Sequence, residues 1–406
     1  MSLRVCYLMP RLPLTESGVV VGGCATNCVS LALELKRQGH QIEILAPVPK
    51  KSLGHLSCHP LAEIIRPIPS FGAGLIGKGL GAIHVLRQGL KKRLQEIRFD
   101  VVHSHSGTYP YAIVPLAVNH NTCVRLHSLY CPIGAEGGVY SRWWEKPAAA
   151  RFIFNKLDRV IAVTDNVAKS IQKTGLPSGK IESIPMCVDT RRFYPREHKG
   201  PSRYFPSESR GARILFVGNS SKEKGLTELI KAVKILAEQR IPVFLVAAIE
   251  NESKIRQYSQ GYHFAKALIK KLWLENHVRL LGLIDPIEDL YAESDLIIIP
   301  WNTSRGPSDF PMVALEGMAM GKCIISTRVG GCPELLKNGQ AGILTEGFSS
   351  NSIAAAIEFA IKHPEIQKQI VPGAIEAAKN LSLEKCGGQM ITLYERLISE
   401  KMPCNE

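Results

Sequence analysis

Short apolar runs rich in Val and Ile alternate along this chain with longer stretches of helical periodicity. That alternation constrains the fold more than any other feature. Runs this short suit strands buried on both faces, and such strands need parallel neighbours with helices packed above and below. In the first half the strands are expected at Leu3–Met9, Gln41–Ala46, Val101–His103, Cys123–Leu126 and Val160–Val163. A helix is expected from Gly23 to Gln38, carrying Val29, Leu31, Leu33 and Leu35 and stopping at Gly39, a residue suited to a left-handed C-cap.

Between Tyr194 and Gly211 the rhythm breaks. The segment YPREHKGPSRYFPSESRG is rich in Pro, Arg and Ser and reads as an exposed linker. The alternation then restarts, with strands at Arg213–Val217, Val243–Ala247, Val278–Leu281, Leu296–Pro300 and Lys322–Ser326. Helices are expected at Leu226–Gln239 and from about Val313 and Ser352. A chain of 406 residues exceeds what one core usually holds. The expectation is α/β, with two doubly wound, Rossmann-like domains: residues 1–194, a linker over 195–211, and residues 212–384. A last helix over about 385–400 is placed to pack back on the first domain. Such sheets hold ligands beyond the carboxyl ends of their strands, so the cleft between the domains is the expected site.

The formal charge is +14, from 50 basic and 36 acidic residues. Up to Arg196 there are 25 basic and 12 acidic residues, so +13 lies in the first half and only +1 in the rest. This suggests an anionic partner for the N-terminal domain, either an anionic acceptor or an anionic membrane surface; a merely soluble basic face is the plainer alternative. Leu75 to Arg98 interleaves Leu80, Ile83, Leu86 and Leu90 with Arg87, Lys91 and Lys92. It reads equally as a helix lying on an anionic membrane or as a core-packed helix with a solvated basic face. Nucleic acid is not expected, because no segment sets aromatic and basic residues on a strand platform or recognition helix. Oligomeric state is not legible.

Eleven scattered cysteines without a C-x-x-C pair indicate neither a disulfide framework nor a zinc site. MSLRVCYLMP runs into a strand rather than a signal peptide, and no stretch approaches the roughly 20 apolar residues that span a bilayer. The expected place is the cytoplasm, with peripheral attachment to the cytoplasmic membrane face as an option.

Candidate chemistry falls just after strands. Gly22 and Gly23 open the first helix, where backbone can approach a ligand, although they do not form G-x-G-x-x-G and a bland turn explains them as well. DVVHSH ends one strand at His105, and VRLH ends the next at His127. A histidine there can bind a hydroxyl or move a proton, or can simply be a satisfied core side chain. In FVGNSSKEKG, Gly218 and Asn219 end a strand and Lys224 stands at a helix start, a place to grip phosphate. LIIIPWNTSRGPSDFPMVALE runs from a buried strand through Ser308, Asp309, Phe310 and Pro311 into a helix. Backbone N–H groups at Met312 and Val313 would face an anion, and Glu316 one turn later would accept hydrogen bonds from paired hydroxyls.

The order of these pieces resembles family 4 of the retaining glycosyltransferases, from Val5 to about Leu397. The matching segments are the Gly22-Gly23 loop, DVVHSH, RLHS, DRVIAVTDNV, IPMCVDTRRFYP, FVGNSSKEKGL, LLGLIDPIEDLYAESDLIIIPW and FPMVALEGMAMGKCIISTRVGGCPELL. The resemblance implies the GT-B fold, two Rossmann-like domains facing a cleft, and a nucleotide-sugar donor, UDP favoured over GDP. It implies that Gly23 lies near the donor diphosphate and that His127 meets a donor-sugar hydroxyl. Lys224 would hold the phosphates, Glu316 the ribose, and the loop from Asp309 to Val313 the diphosphate and sugar; Ile284 joins the donor site. It implies no metal and no cofactor, the leaving-group charge being offset by Lys224 and a helix N-terminus.

Two departures stand out. The first glutamate of the family's E-x7-E pattern is replaced by Ser308, with Asp309 beside it as a possible substitute, and the arginine that accompanies the lysine is replaced by Asn219. They motivate an alternative, a non-catalytic GT-B protein that binds a nucleotide or glycan. On the acceptor side, which would be a lipid, glycan or small-molecule hydroxyl, Tyr109, Trp143 and Trp144 are the candidate contacts.

Overall fold

The computed structural model describes residues 2–15, 20–48, 60–69, 80–134, 146–198, 200–206, 211–250, 256–303 and 308–401. The chain forms two compact units. Unit 1 holds Met1–Cys187, Arg305–Phe310 and Leu383–Glu406; unit 2 holds Val188–Ser304 and Pro311–Ser382.

Unit 1 is built on seven parallel strands: β1 (Arg4–Leu8), β2 (Gln41–Val48), β3 (Ile65–Pro69), β4 (Val101–Ser106), β5 (Val124–Leu129), β6 (Arg159–Ala162) and β7 (Ile181–Ser183). Their order is β3-β2-β1-β4-β5-β6-β7. Helices α1 (Gly23–Arg37), α2 (Leu80–Arg93), α3 (Pro147–Phe154) and α4 (Asp165–Gln172) lie among them in sequence. The pleat sorts β1 onto two cores, with Val5 and Tyr7 packing on α1 residues such as Leu31 and Leu35, and Cys6 and Leu8 packing on α2. Helices on both faces are what two-sided burial requires.

The described turns of α2 settle how that helix packs. Ile83, Leu86 and Leu90 are buried with Cys6, Leu8 and Leu45, while Arg87, Lys91 and Lys92 point to solvent. The apolar stripe is spent on the sheet, so these turns form a core-packed helix with a basic outer face rather than one that inserts in a bilayer. Among the described residues no helix is long and apolar enough to cross a membrane.

Unit 2 carries six parallel strands: β8 (Ala212–Gly218), β9 (Val243–Ile249), β10 (Val278–Leu281), β11 (Leu296–Ile299), β12 (Cys323–Ser326) and β13 (Ile343–Leu344), ordered β10-β9-β8-β11-β12-β13. Its helices are α5 (Leu226–Glu238), α6 (Arg256–Lys271), α7 (Glu288–Glu293), α8 (Met312–Ala319), α9 (Cys332–Leu335), α10 (Ser350–Lys362) and α11 (Pro364–Asn380). Helix α12 (Leu383–Lys401) belongs to unit 1, where Leu383, Met390, Tyr394 and Leu397 are buried in the same core as α1.

The Pro-rich segment after Tyr194 is exposed at Tyr194, Pro195, Glu197, Gly200, Pro201 and Arg203, but it is anchored at Tyr204 and Phe205, which are buried. Glu293 accepts hydrogen bonds from Ser202 Oγ at 2.6 Å and from the Arg203 and Tyr204 N–H groups at 3.0 and 3.1 Å, and Phe205 is buried edge-on against Phe244. Two aromatic anchors and a buried carboxylate dock this stretch on unit 2.

Candidate active site

In unit 2 the turn after β8 is fixed by a close approach. Gly225 has φ +72°, and a Cβ there would lie 1.8 Å from the Pro300 carbonyl oxygen beyond β11, so this position needs glycine. The turn is tied to the same loop by the Asn302 N–H and Asn302 Nδ2, which donate to the Glu223 and Lys222 carbonyls. Lys224 is thereby held with its ammonium 3.4 Å from the centroid of the Trp301 ring. Asn219 serves the turn itself, its Oδ1 accepting from the Ser221 N–H at 3.1 Å. Gly218 ends β8, directly before it.

Helix α8 starts after Pro311 with no side-chain cap and no acidic residue in its first turn, so Met312 and Val313 open a helix whose positive end is uncovered by its own side chains. Glu316 is partly exposed, and Tyr291 OH donates to its Oε2 at 2.8 Å. Burial pushes the Glu316 carboxyl up to about 7, against the hydrogen bond from Tyr291 and the charge of Arg192, which work the other way. Arg192 is itself bound to Glu288 through two contacts of 2.9 and 2.8 Å. Ile284, half-buried, lies in the loop after β10.

In unit 1 three buried histidines stand on β4 and β5, and their hydrogen bonds separate them. His103 is satisfied on both sides, by Tyr394 OH at 2.7 Å and Ser128 Oγ at 2.9 Å, which makes it structural. His105 meets Tyr130 OH through Nδ1 at 2.9 Å, and His127 meets Ser104 Oγ through Nδ1 at 2.7 Å. The Nε2 atoms of His105 and His127 are buried without a hydrogen-bond partner among the described residues. Buried polar atoms are rarely left so, and an orphan at a strand end calls for a partner, either an ordered water or a ligand group. Burial drives both imidazoles down to about 3, so both are neutral near pH 7. His127 stacks on Phe154, and Tyr109, also buried, meets the same ring edge-on.

Residues 308–310 lie in unit 1. Asp309 is fully buried; its carboxylate accepts from Thr164 Oγ1 at 2.7 Å and Asn166 Nδ2 at 3.2 Å, and its N–H donates to the Tyr130 carbonyl at 2.8 Å. Ser308 Oγ accepts from the Phe310 N–H at 3.1 Å and lies 3.4 Å from Met186 Sδ. Gly22 is exposed at φ +95° as the N-cap of α1, whose first turn, begun by Gly23, also lacks a side-chain cap and an acid. Trp143 and Trp144 lie outside the described residues.

The structure thus brings together Lys224 with Trp301, Glu316 with Tyr291, and His127 with Ser104 and Phe154. The sequence singles out one member of each of these groups. Tyr291 sits at an apolar position of a short helix, where its hydroxyl gives no periodic signal, and Ser104 is a neighbour only through the β4–β5 register that sets it opposite His127.

The two halves match two family models. Residues 21–192 match Glycosyltransferase Family 4, and residues 204–377 match Glycosyl transferases group 1. Among curated proteins the chain is similar to N-acetyl-alpha-D-glucosaminyl L-malate synthase of Bacillus anthracis, at 25% identity over 74% of this chain and 75% of that protein. It is also similar to D-inositol 3-phosphate glycosyltransferase of Nocardiopsis dassonvillei, at 23% identity over 94% and 91%. Among solved structures it is similar to Anabaena HepE in complex with UDP-glucose, with a TM-score of 0.72 and 18% identity over 97% of this chain and 100% of that one. With both halves matched and two Rossmann-ordered parallel sheets in place, the chain belongs to the family 4, group 1 glycosyltransferases, enzymes of the GT-B fold.

Proposed function

We propose that the chain transfers a sugar, with retention of anomeric configuration, from a nucleoside diphosphate sugar to a hydroxyl of a lipid, glycan or small-molecule acceptor, with UDP as the favoured nucleotide. The observation that carries this reading is the presence in unit 2 of a cation and a carboxylate beyond two adjacent strands: Lys224 after β8 and Glu316 on the helix after β11. A diphosphate calls for the first and a ribose diol for the second. The UDP-glucose complex of HepE supports a uridine donor.

In this reading Lys224 exchanges its Trp301 contact for charge-assisted hydrogen bonds to phosphate, and the uncapped start of α8 adds oriented N–H groups. Both offset the charge that develops on the leaving diphosphate. That leaving group takes the acceptor proton, so no carboxylate nucleophile is required. The engagement of Asp309 with Thr164 and Asn166 fits such a route. His127, neutral and oriented by Ser104, offers Nε2 to a sugar hydroxyl.

The test is incubation with a panel of UDP- and GDP-sugars, following free sugar released without acceptor and the anomeric signal of the first product by NMR. The reading expects turnover of a UDP-sugar with the configuration kept. Inversion, or no turnover of any donor, would sink it.

A further inference from the structure

The amino edge of the unit 1 sheet, away from His103, His105 and His127, holds a cavity lined by none of the residues assigned above to transfer. It has a volume of about 540 Å³ and is lined by Arg87, His120, Arg125, Lys156, Lys180 and the apolar Ile113. Pockets for small molecules span roughly 300–1,000 Å³. Arg125 is the second residue of β5, Lys156 precedes β6, and Lys180 directly precedes β7, so the sheet itself converges these cations on one place.

Their hydrogen-bond inventory is incomplete in a directed way. Arg125 Nη2 donates to the Lys156 carbonyl at 2.5 Å and meets His120 Nδ1 at 2.8 Å, while Arg125 Nε is buried without a partner among the described residues. Lys180 Nζ donates to the Asn155 and Leu157 carbonyls at 2.6 and 2.7 Å, which accounts for two of its three hydrogens. His120 Nδ1 also faces Lys401 Nζ at 3.0 Å. Asp158 Oδ1 lies farther from the same nitrogen, at 3.5 Å; with two cations closer to it, Nδ1 serves as the acceptor, which leaves Nε2 of the neutral ring as a further donor. The nearby carboxylate, Asp158, is already engaged by the Arg125 N–H at 2.7 Å and by Lys401 Nζ at 2.8 Å. Burial, followed by Lys401 and Arg125, holds the His120 imidazole below its ordinary value, with Asp158 working the other way.

We propose that this cavity is an anion site that binds a phosphate group. A phosphomonoester presents three oxygens and close to two negative charges, enough to meet the donors of Arg125, Lys180 and His120 together, which a single carboxylate does not. Arg87 and Lys156 are exposed at its mouth and complete the field. The same chemistry comes from a soluble phosphorylated compound or from a phospholipid headgroup, the latter favoured by Lys91 and Lys92 on the outer face of α2 beside Arg87.

The test uses the full chain with UDP present to occupy the donor site, and two probes: glycerol 3-phosphate, and phosphatidylcholine vesicles with or without phosphatidic acid. Hydrogen exchange should slow in residues 119–124 and 155–157 on binding. The variant R87E/K156E, altered only at exposed side chains outside the transfer machinery, should keep donor turnover and bind about tenfold more weakly. Binding of glycerol 3-phosphate assigns a soluble ligand, and recruitment only to vesicles containing phosphatidic acid assigns a headgroup; either supports the site. Failure of both probes, protection confined to other segments, or unchanged affinity in the variant overturns it.

Discussion

Tyr291 donates its phenolic hydrogen to Glu316 Oε2 at 2.8 Å, and the carboxyl it serves has been pushed by burial to about 7. A carboxyl raised in the folded state keeps its proton where the unfolded chain has lost it. Its contribution to stability is therefore full below pH 4.5 and is lost as pH rises through about 7. Melting temperature, compared between wild type and E316Q across that window, should show a downward slope that the variant lacks. Parallel curves would place the shift elsewhere.

Lys224→Ala should remove the ammonium that lies over Trp301 in the turn after β8, while Lys222 on the same turn stays exposed to solvent. The expected loss is about two decades in donor kcat/KM, equivalent to a few kcal/mol of transition-state stabilisation. Circular dichroism and melting should stay close to wild type, since Lys224 is only half-buried. Equal kinetics in the two proteins would remove Lys224 from the site.

Gly225→Ala should act on the same turn through the fold. Its Cβ would meet the Pro300 carbonyl oxygen at 1.8 Å in a left-handed conformation, so the backbone must shift, at a cost of about 2–4 kcal/mol. Denaturant unfolding measures this directly. A neutral result would show that the turn relaxes freely.

Chelation should leave donor turnover unchanged. With Lys224 and the open start of α8 to meet the leaving diphosphate, the proposed route asks for no divalent cation. The assay is turnover before and after exhaustive EDTA dialysis, and loss that magnesium restores would contradict the assignment.

Asp309→Ala should loosen residues 308–310 within unit 1. Thr164 Oγ1 and Asn166 Nδ2 lose their acceptor, at a cost of about 1–3 kcal/mol for the stranded, buried Thr164 hydroxyl, while exposed Asn166 turns to water. Faster amide exchange at the start of α4, where Thr164 is the N-cap, would report it, and an unchanged exchange pattern would argue against the tether.

Much of the fold was legible because two-sided burial writes itself as continuous apolar runs. Strands β1, β2, β8 and β9 fall within two residues of where Val and Ile place them. Of the edge strands, β10 was legible at Val278–Leu281, but the other three were not. β3 contains Pro67 and Pro69, which a central strand excludes but an edge tolerates, and β7 and β13 are too short for alternation to accumulate. At the site, sequence supplied the charged groups, whose types announce their chemistry. It did not supply Tyr291, Trp301 or Ser104, whose roles exist only through neighbours distant in sequence. The Tyr204–Phe205 pair was hidden by the Pro, Ser and Arg around it, although two adjacent aromatics in a polar stretch are a usable sign of docking.

Helix α12 buries Tyr394 against His103 and against Tyr7, which lies near the opposite end of the chain. A ribosome making this protein therefore exports the strands of unit 1 first and the packing partner of Tyr7 almost four hundred residues later. All of unit 2 emerges in the interval. During synthesis the first half must wait with one face of its sheet covered by α1 but lacking α12, so a transcript truncated before residue 383 yields a second half that can complete its own core and a first half that cannot.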